Sequence, residues 1–125
     1  MQLWAILLAA GRSERMGQAS GGPKQFLMFQ GAPLYWRSAL ILNRCARLRG
    51  IVFVFPEGSL EAEQMRLADL VQSGFGLPWR IAGGGLERQD SVRNALAALP
   101  VGCDAVLVHD ASRPFRRFHY PGADF

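Results

Sequence analysis

Leu3-Trp4-Ala5-Ile6-Leu7-Leu8 is a continuous apolar run that flows into Ala9-Ala10-Gly11. A strand buried on both faces reads this way, because neither alternate set of side chains meets water. Three downstream segments repeat the pattern. Ile51–Phe55 is rich in β-branched and aromatic residues and stops at Pro56. Trp79–Ala82 is shorter, and Ala105–His109 ends against Asp110. Helical signals lie between them. Leu34, Ser38, Ile41, Cys45 and Leu48 recur at helical spacing, with Pro33 suited to the start and Gly50 to the end. Ser59 can cap a helix to about Ser73, closed by Gly74. Val92, Ala95, Leu96 and Leu99 follow the spacing i, i+3, i+4, i+7. Strands alternating with helices imply an α/β fold with a mostly parallel sheet and right-handed crossovers.

The totals bound the rest. A length of 125 residues fits one domain, and 50% hydrophobic residues suffice for a core. The net charge of +4 favours anionic partners. The basic residues are scattered, with Arg116-Arg117 the only dense pair, so nucleic-acid binding has little support. Cys45 and Cys103 have no partner at metal spacing and read as free thiols of a reducing compartment. The first apolar run is too short to span a bilayer and lacks the basic flank of a signal peptide. The expected location is the cytoplasm.

Sheets of this kind bind ligands beyond the carboxyl ends of their strands. Three segments converge there: the loop after the first strand, the glycine turn Gly83-Gly84-Gly85, and Asp110. Residues 11–23 hold four glycines and Pro23, a loop long enough to expect a function. Small residues let backbone N–H groups approach a phosphate. Neither the Walker A nor the dinucleotide glycine pattern is present. Arg15 and Lys24 lie in the same loop, and Lys24 is the only lysine among fourteen Lys and Arg residues. A lysine supplies a compact charge for a phosphate oxygen; alternatively, the bias toward arginine is compositional and both charges are solvated. Asp110 at a strand tip suits magnesium held jointly with phosphates, or else a turn. In Gly84-Gly85-Leu86-Glu87-Arg88-Gln89-Asp90-Ser91-Val92, backbone amides and Ser91 could read a base edge. Asp90 or Ser91 could equally cap the helix. His109 reads as packed, and His119 carries no signal.

Four stretches together resemble the 2-C-methyl-D-erythritol 4-phosphate cytidylyltransferase family. They are Leu8-Ala9-Ala10-Gly11 with Arg15-Met16-Gly17, Pro23-Lys24-Gln25-Phe26-Leu27, Gly84-Gly85 with Glu87–Val92, and Val106–Ala111 with Arg113-Pro114. The resemblance implies a Rossmann-like nucleotidyltransferase fold, present here as its N-terminal nucleotide-binding part over residues 1–115. It implies transfer of CMP from CTP to methylerythritol phosphate with release of pyrophosphate, assisted by Mg2+. By position, Arg15 and Lys24 would stabilise the transition state. Backbone groups of Ala9, Ala10, Gly11, Arg12 and Ser13 would hold the triphosphate. Ala9, Gly85 and Ser91, with Gly84 beside them, would contact cytosine, and Asp110 would lie near the metal and the substrate.

The chain departs from the family pattern at Ser13, often a second glycine, at Leu86, often polar, and at Ser112, often alanine. Residues 116–125 do not resemble the expected continuation. The family carries roughly as much chain again, with further strands, a dimerisation arm and the acceptor-binding residues, and some members are fused to a downstream synthase. On this reading the 105–109 strand is an exposed apolar edge, and the chain alone is expected to associate or be poorly stable. Two other readings stay open: a nucleotidyltransferase for a sugar or polyol phosphate such as ribitol phosphate, and a non-catalytic nucleotide-binding fragment.

Overall fold

The computed structural model describes residues 2–10, 28–29, 32–111, 119–120 and 123–124. Four strands form one sheet: β1 (Leu3–Leu8), β4 (Leu48–Phe55), β5 (Trp79–Gly83) and β6 (Ala105–Asp110). Their spatial order is β5-β4-β1-β6, and every neighbouring pair is parallel. Two small antiparallel ribbons accompany it. One pairs β2 (Met28–Phe29) with β3 (Ala32–Pro33), the other β7 (His119–Tyr120) with β8 (Ala123–Asp124). The helices are α1 (Leu34–Asn43), α2 (Leu60–Leu70) and α3 (Arg88–Ala97). Among the described residues, no helix is long and apolar enough to cross a membrane.

Handedness fixes where the helices lie. The chain steps from β1 to β4 to β5 in one direction across the sheet, then returns past β1 to β6. Right-handed crossovers therefore put α1 and α2 on one face and α3 on the other. The core divides in the same way. Ile51, Phe53 and Phe55 pack with Tyr35, Trp36, Ala39, Leu42 and Leu67 from α1 and α2. Trp4, Ile6, Leu8, Val52 and Val54 pack with Ala95 of α3. The phenylalanines of β4 thus face α1 and α2, and aliphatic residues with the Trp4 indole face α3.

Local boundaries differ from the sequence pattern in three places. Helix α1 ends at Asn43, and of the expected stripe only Ser38 is among its buried residues, which are otherwise Tyr35, Trp36, Ala39 and Leu42. Leu48 and Gly50 belong to β4, so Gly50 is not a helix end. A Cβ on Gly50 would collide with the indole ring of Trp4, its partner in the register. The glycine is there because that ring lies across the strand. Ser59 precedes α2 without a side-chain cap bond; its Oγ instead donates to the Pro56 carbonyl at 3.4 Å. Gly74 does close this segment, in the left-handed region at φ 108°.

One buried polar pair ties α1 to α2. The Tyr35 hydroxyl donates to Glu63 Oε1 at 3.2 Å, with Arg66 Nε 3.9 Å from the same oxygen. The Tyr35 ring also meets Phe55 edge-on, centroids 5.0 Å apart. Burial first, then the adjacent carboxylate, pushes the phenol well above its ordinary pKa, and Arg66 offsets this only in part. Tyr35→Phe should cost about 1–3 kcal/mol, because it strips a buried carboxylate of a donor. It should also change the alkaline limb. The folded chain keeps the phenol proton where the unfolded chain releases it, so stability is full below about pH 10 and falls as pH rises above it. The slope approaches about 1.4 kcal/mol per pH unit and should be missing from the phenylalanine variant in urea melts at pH 9–11. Equal slopes for the two proteins would refute this assignment.

Candidate functional site

The carboxyl ends of the four strands lie level with one another. Leu8 stands opposite both Val54 and Asp110, and Phe55 stands opposite Gly83. Backbone bonds carry this alignment past the strand ends. Ala9 N–H donates to Val54 at 2.8 Å, Ala111 N–H to Leu8 at 2.8 Å, and Gly84 N–H to Phe55 at 2.7 Å. Between β1 and β6 the order of connection reverses, which opens a crevice of the kind that receives ligands in such sheets. Ala9 and Ala10 after β1, and Asp110 at the end of β6, stand at that point.

Of the three expected segments, the glycine turn and Asp110 end at this edge, and the segment after β1 is described as far as Ala10. Ala10 lies against the glycine turn, since a Cβ on Gly84 would sit 2.6 Å from the Ala10 Cβ and 3.3 Å from Ser91 Oγ. Any side chain at residue 84 would separate the β1 loop from the turn. Ala9 is fully buried, and its N–H is engaged by β4, so amides free for a phosphate start no earlier than Ala10. Gly11, Arg12, Ser13, Arg15 and Lys24 lie outside the described residues. His109 sits in β6 with its Nε2 buried, in keeping with a packed residue.

Helix α3 organises the turn. Its N-cap is Glu87, not Asp90 or Ser91. Glu87 and Asp90 form a reciprocal capping box, in which Glu87 N–H donates to Asp90 Oδ2 at 3.1 Å. That box releases Ser91 for another task. Ser91 is 3% exposed, and its Oγ accepts the Gly85 N–H at 3.0 Å. Leu86, next after Gly85, is 95% exposed. A Cβ on Gly85 would strike the Asp90 Cβ, so the turn and the first turn of α3 are in close contact.

Two groups escaped the sequence reading. Asn94 Nδ2 donates to the Gly83 carbonyl at 2.8 Å. The available signal was its position three residues after Ser91, which puts both on one face of α3. The carboxylate of Glu57 lies against Gly83, where a Cβ would displace it. Its position after Pro56, outside any motif, gave no hint of that contact.

The chain matches the family model "IspD: 2-C-methyl-D-erythritol 4-phosphate cytidylyltransferase" over residues 3–119. It is 52% identical over 117 residues to a bifunctional enzyme IspD/IspF of Oleidesulfovibrio alaskensis, covering 92% of this chain and 29% of that protein. It is 32% identical over 110 residues to a 2-C-methyl-D-erythritol 4-phosphate cytidylyltransferase of Alkaliphilus metalliredigens, covering 88% of this chain and 44% of that protein. In structure it resembles 4-diphosphocytidyl-2C-methyl-D-erythritol synthase from Anaerococcus prevotii. The TM-score is 0.69 at 22% identity, over 91% of this chain and 44% of that one. The chain thus spans less than half the length of these relatives. The turn held by α3 and the crevice beside β1 lie within the matched residues, and the chain belongs to the 2-C-methyl-D-erythritol 4-phosphate cytidylyltransferase family.

Proposed function

We propose that this chain carries the CTP-binding part of a cytidylyltransferase that transfers CMP to 2-C-methyl-D-erythritol 4-phosphate. The observation that carries the reading is the meeting of the Ala10 loop, the Gly84-Gly85 turn and Ser91 at one sheet edge. Cytosine offers two acceptors, O2 and N3, and one donor, its 4-amino group. The turn has matching groups. Ser91 accepts from Gly85 through its oxygen, which leaves its hydroxyl proton to donate. The Leu86 N–H supplies a second donor, and the Gly84 and Gly85 carbonyls are acceptors. Uracil, with a donor at N3, would meet the Leu86 N–H with another donor. In this reading Ala9 contributes apolar contact to the base, because its amide is already bonded within the sheet.

The acceptor's phosphate oxygen attacks the α-phosphorus, the bond to the β-phosphate bridging oxygen breaks, and pyrophosphate leaves. Charge builds on the non-bridging oxygens, and preorganised cations stabilise it. Arg15 and Lys24 fill that role, and the amides of Ala10, Gly11, Arg12 and Ser13 hold the triphosphate. The donor set at the edge suits Mg2+. Among the described residues no group of three His, Cys, Asp or Glu side chains could hold a metal alone, whereas one carboxylate shared with phosphates suits this ion. Asp110 would be that ligand, and the ion would screen the triphosphate charge. The same reading puts the protein in the cytoplasm, with no nucleic-acid or membrane partner, and assigns the family's homodimer to a dimerisation arm outside residues 1–115.

The test is to titrate CTP, UTP, ATP and GTP with magnesium, then assay pyrophosphate release with methylerythritol phosphate and with ribitol phosphate. Preferential CTP binding with release only for methylerythritol phosphate is the expected result. CTP binding without turnover would reduce the chain to a nucleotide-binding part. Release with ribitol phosphate would reassign the acceptor, and absence of a CTP preference would overturn the reading.

A further inference from the structure

We infer that Asn94 is a positioning residue for base discrimination, acting through the backbone of the glycine turn. The inference rests on the cytosine-reading role proposed above for that turn. Three successive glycines, Gly83-Gly84-Gly85, end β5 and open the turn to α3. Glycine ranges more widely over backbone angles than any other residue, so this triplet has no preferred shape of its own. A turn that reads a base through its main chain must nevertheless present its amide and carbonyl groups in one arrangement.

Hydrogen bonds from outside the turn supply that arrangement. The Gly83–Gly84 peptide is held at both polar atoms. Its carbonyl accepts from Asn94 Nδ2 at 2.8 Å, and its N–H donates to the Phe55 carbonyl at 2.7 Å. The next peptide is held at its N–H by Ser91 Oγ at 3.0 Å. Asn94 and Ser91 stand three residues apart on α3, so one rigid helix face grips both ends of the triplet. Glu87 is fixed in turn by Asp90. These bonds engage neither the Gly84 and Gly85 carbonyls nor the Leu86 N–H, the groups assigned above to the base.

Ser91 is placed to touch the base, but Asn94 is not. Its amide nitrogen is bonded to Gly83, on the β5 side of the turn. Loss of this bond lets the first peptide rotate, and each later peptide inherits the rotation. The predicted deficit is therefore in selectivity between bases that share a shape but differ in donor pattern. Triphosphate affinity, which the β1 loop provides in this reading, should change less. Asn94 is exposed and outside the core, so its replacement should leave the fold intact.

The experiment compares the unsubstituted chain with Asn94→Ala and Asn94→Asp. Aspartate keeps the shape but replaces the donor with an acceptor facing a carbonyl. Binding of CTP and UTP with magnesium is measured for each, with amide hydrogen exchange at residues 83–86. Both variants should lose at least tenfold in the CTP-over-UTP ratio. The Gly84 and Gly85 amides should exchange at least tenfold faster, with the amides of β1 and β4 unchanged. An unchanged ratio and unchanged exchange in both variants would overturn the inference. If the unsubstituted chain shows no preference for CTP, the cytosine reading fails and the selectivity role falls with it; the exchange data then decide whether Asn94 holds the turn at all.

Discussion

Gly50→Val lowers the unfolding free energy by about 3 kcal/mol, at the upper end of the usual cost of overpacking. Intrinsic preference argues the other way. Valine is favoured over glycine in strands, by up to about 1 kcal/mol in a host protein. Sterics win because of what lies over residue 50. A Cβ there would overlap the Trp4 indole, and valine adds two methyl groups beyond it. The indole cannot simply retreat. It is buried in the core on the α3 side, and the Arg80 guanidinium lies 5.8 Å from its centroid. Arg80 is itself tied to the end of α3 through a 3.0 Å bond to the Ala98 carbonyl. A second substitution tests the cause. Trp4→Leu should destabilise alone by leaving a void, yet the double variant should be more stable than the sum of the two losses predicts. Urea melts of the four proteins measure this, and strict additivity would mean that the ring is not the obstacle.

For the proposed reaction, Lys24→Ala should lower the rate of CMP transfer on the order of 10²-fold, about 3 kcal/mol in the barrier, as for loss of one preorganised oxyanion donor. The expected pattern is a fall in kcat with little change in KM for CTP. Such a pattern marks an interaction made mainly in the transition state. Lys24→Arg should recover only part of the loss. A guanidinium keeps the charge but presents a planar fork where a compact ammonium is needed. A rise in KM at constant kcat would instead make Lys24 a ground-state phosphate ligand. Arg15→Ala should behave like Lys24→Ala in the same steady-state pyrophosphate-release assay, if the two cations share the charge on one phosphoryl group.

The fold was readable because its strands are continuous or near-continuous apolar runs, and such runs depend only on local burial. The parallel direction of the strands followed from their alternation with helices. The misread positions have non-local causes. Gly50 looks like a helix end in sequence, because glycine commonly follows a helix; its reason is an indole forty-six positions away, from residue 4 to residue 50. Glu87 caps α3 although the usual preference favours Asp90 or Ser91, and the reciprocal bond with Asp90 makes the choice. At the site, Gly84, Gly85 and Ser91 were legible as a motif, and the structure brings them together with Ala10. Asn94 was not legible, because its partner is a main-chain carbonyl that carries no signature in sequence. Gly11, Arg12, Ser13, Arg15 and Lys24 fall outside the described residues, so their roles rest on the motif and the family.

The pairing of β1 with β6 joins residues far apart along the chain. Leu8 faces Asp110 across 102 positions, the difference between 110 and 8. Closing so long a loop has an entropic cost that must be met before the contact returns any energy, so pairings of this kind form late in folding. The β1–β4 pair needs a much shorter closure, as Leu8 faces Val54. The crevice beside β1 therefore has one wall that can assemble early and one that must wait for the whole sheet. A nascent chain would display its glycine turn and β1 loop before Asp110 arrives. Capacity to hold a triphosphate together with its counter-ion would then report the pairing of β6 with β1, rather than the formation of any single segment.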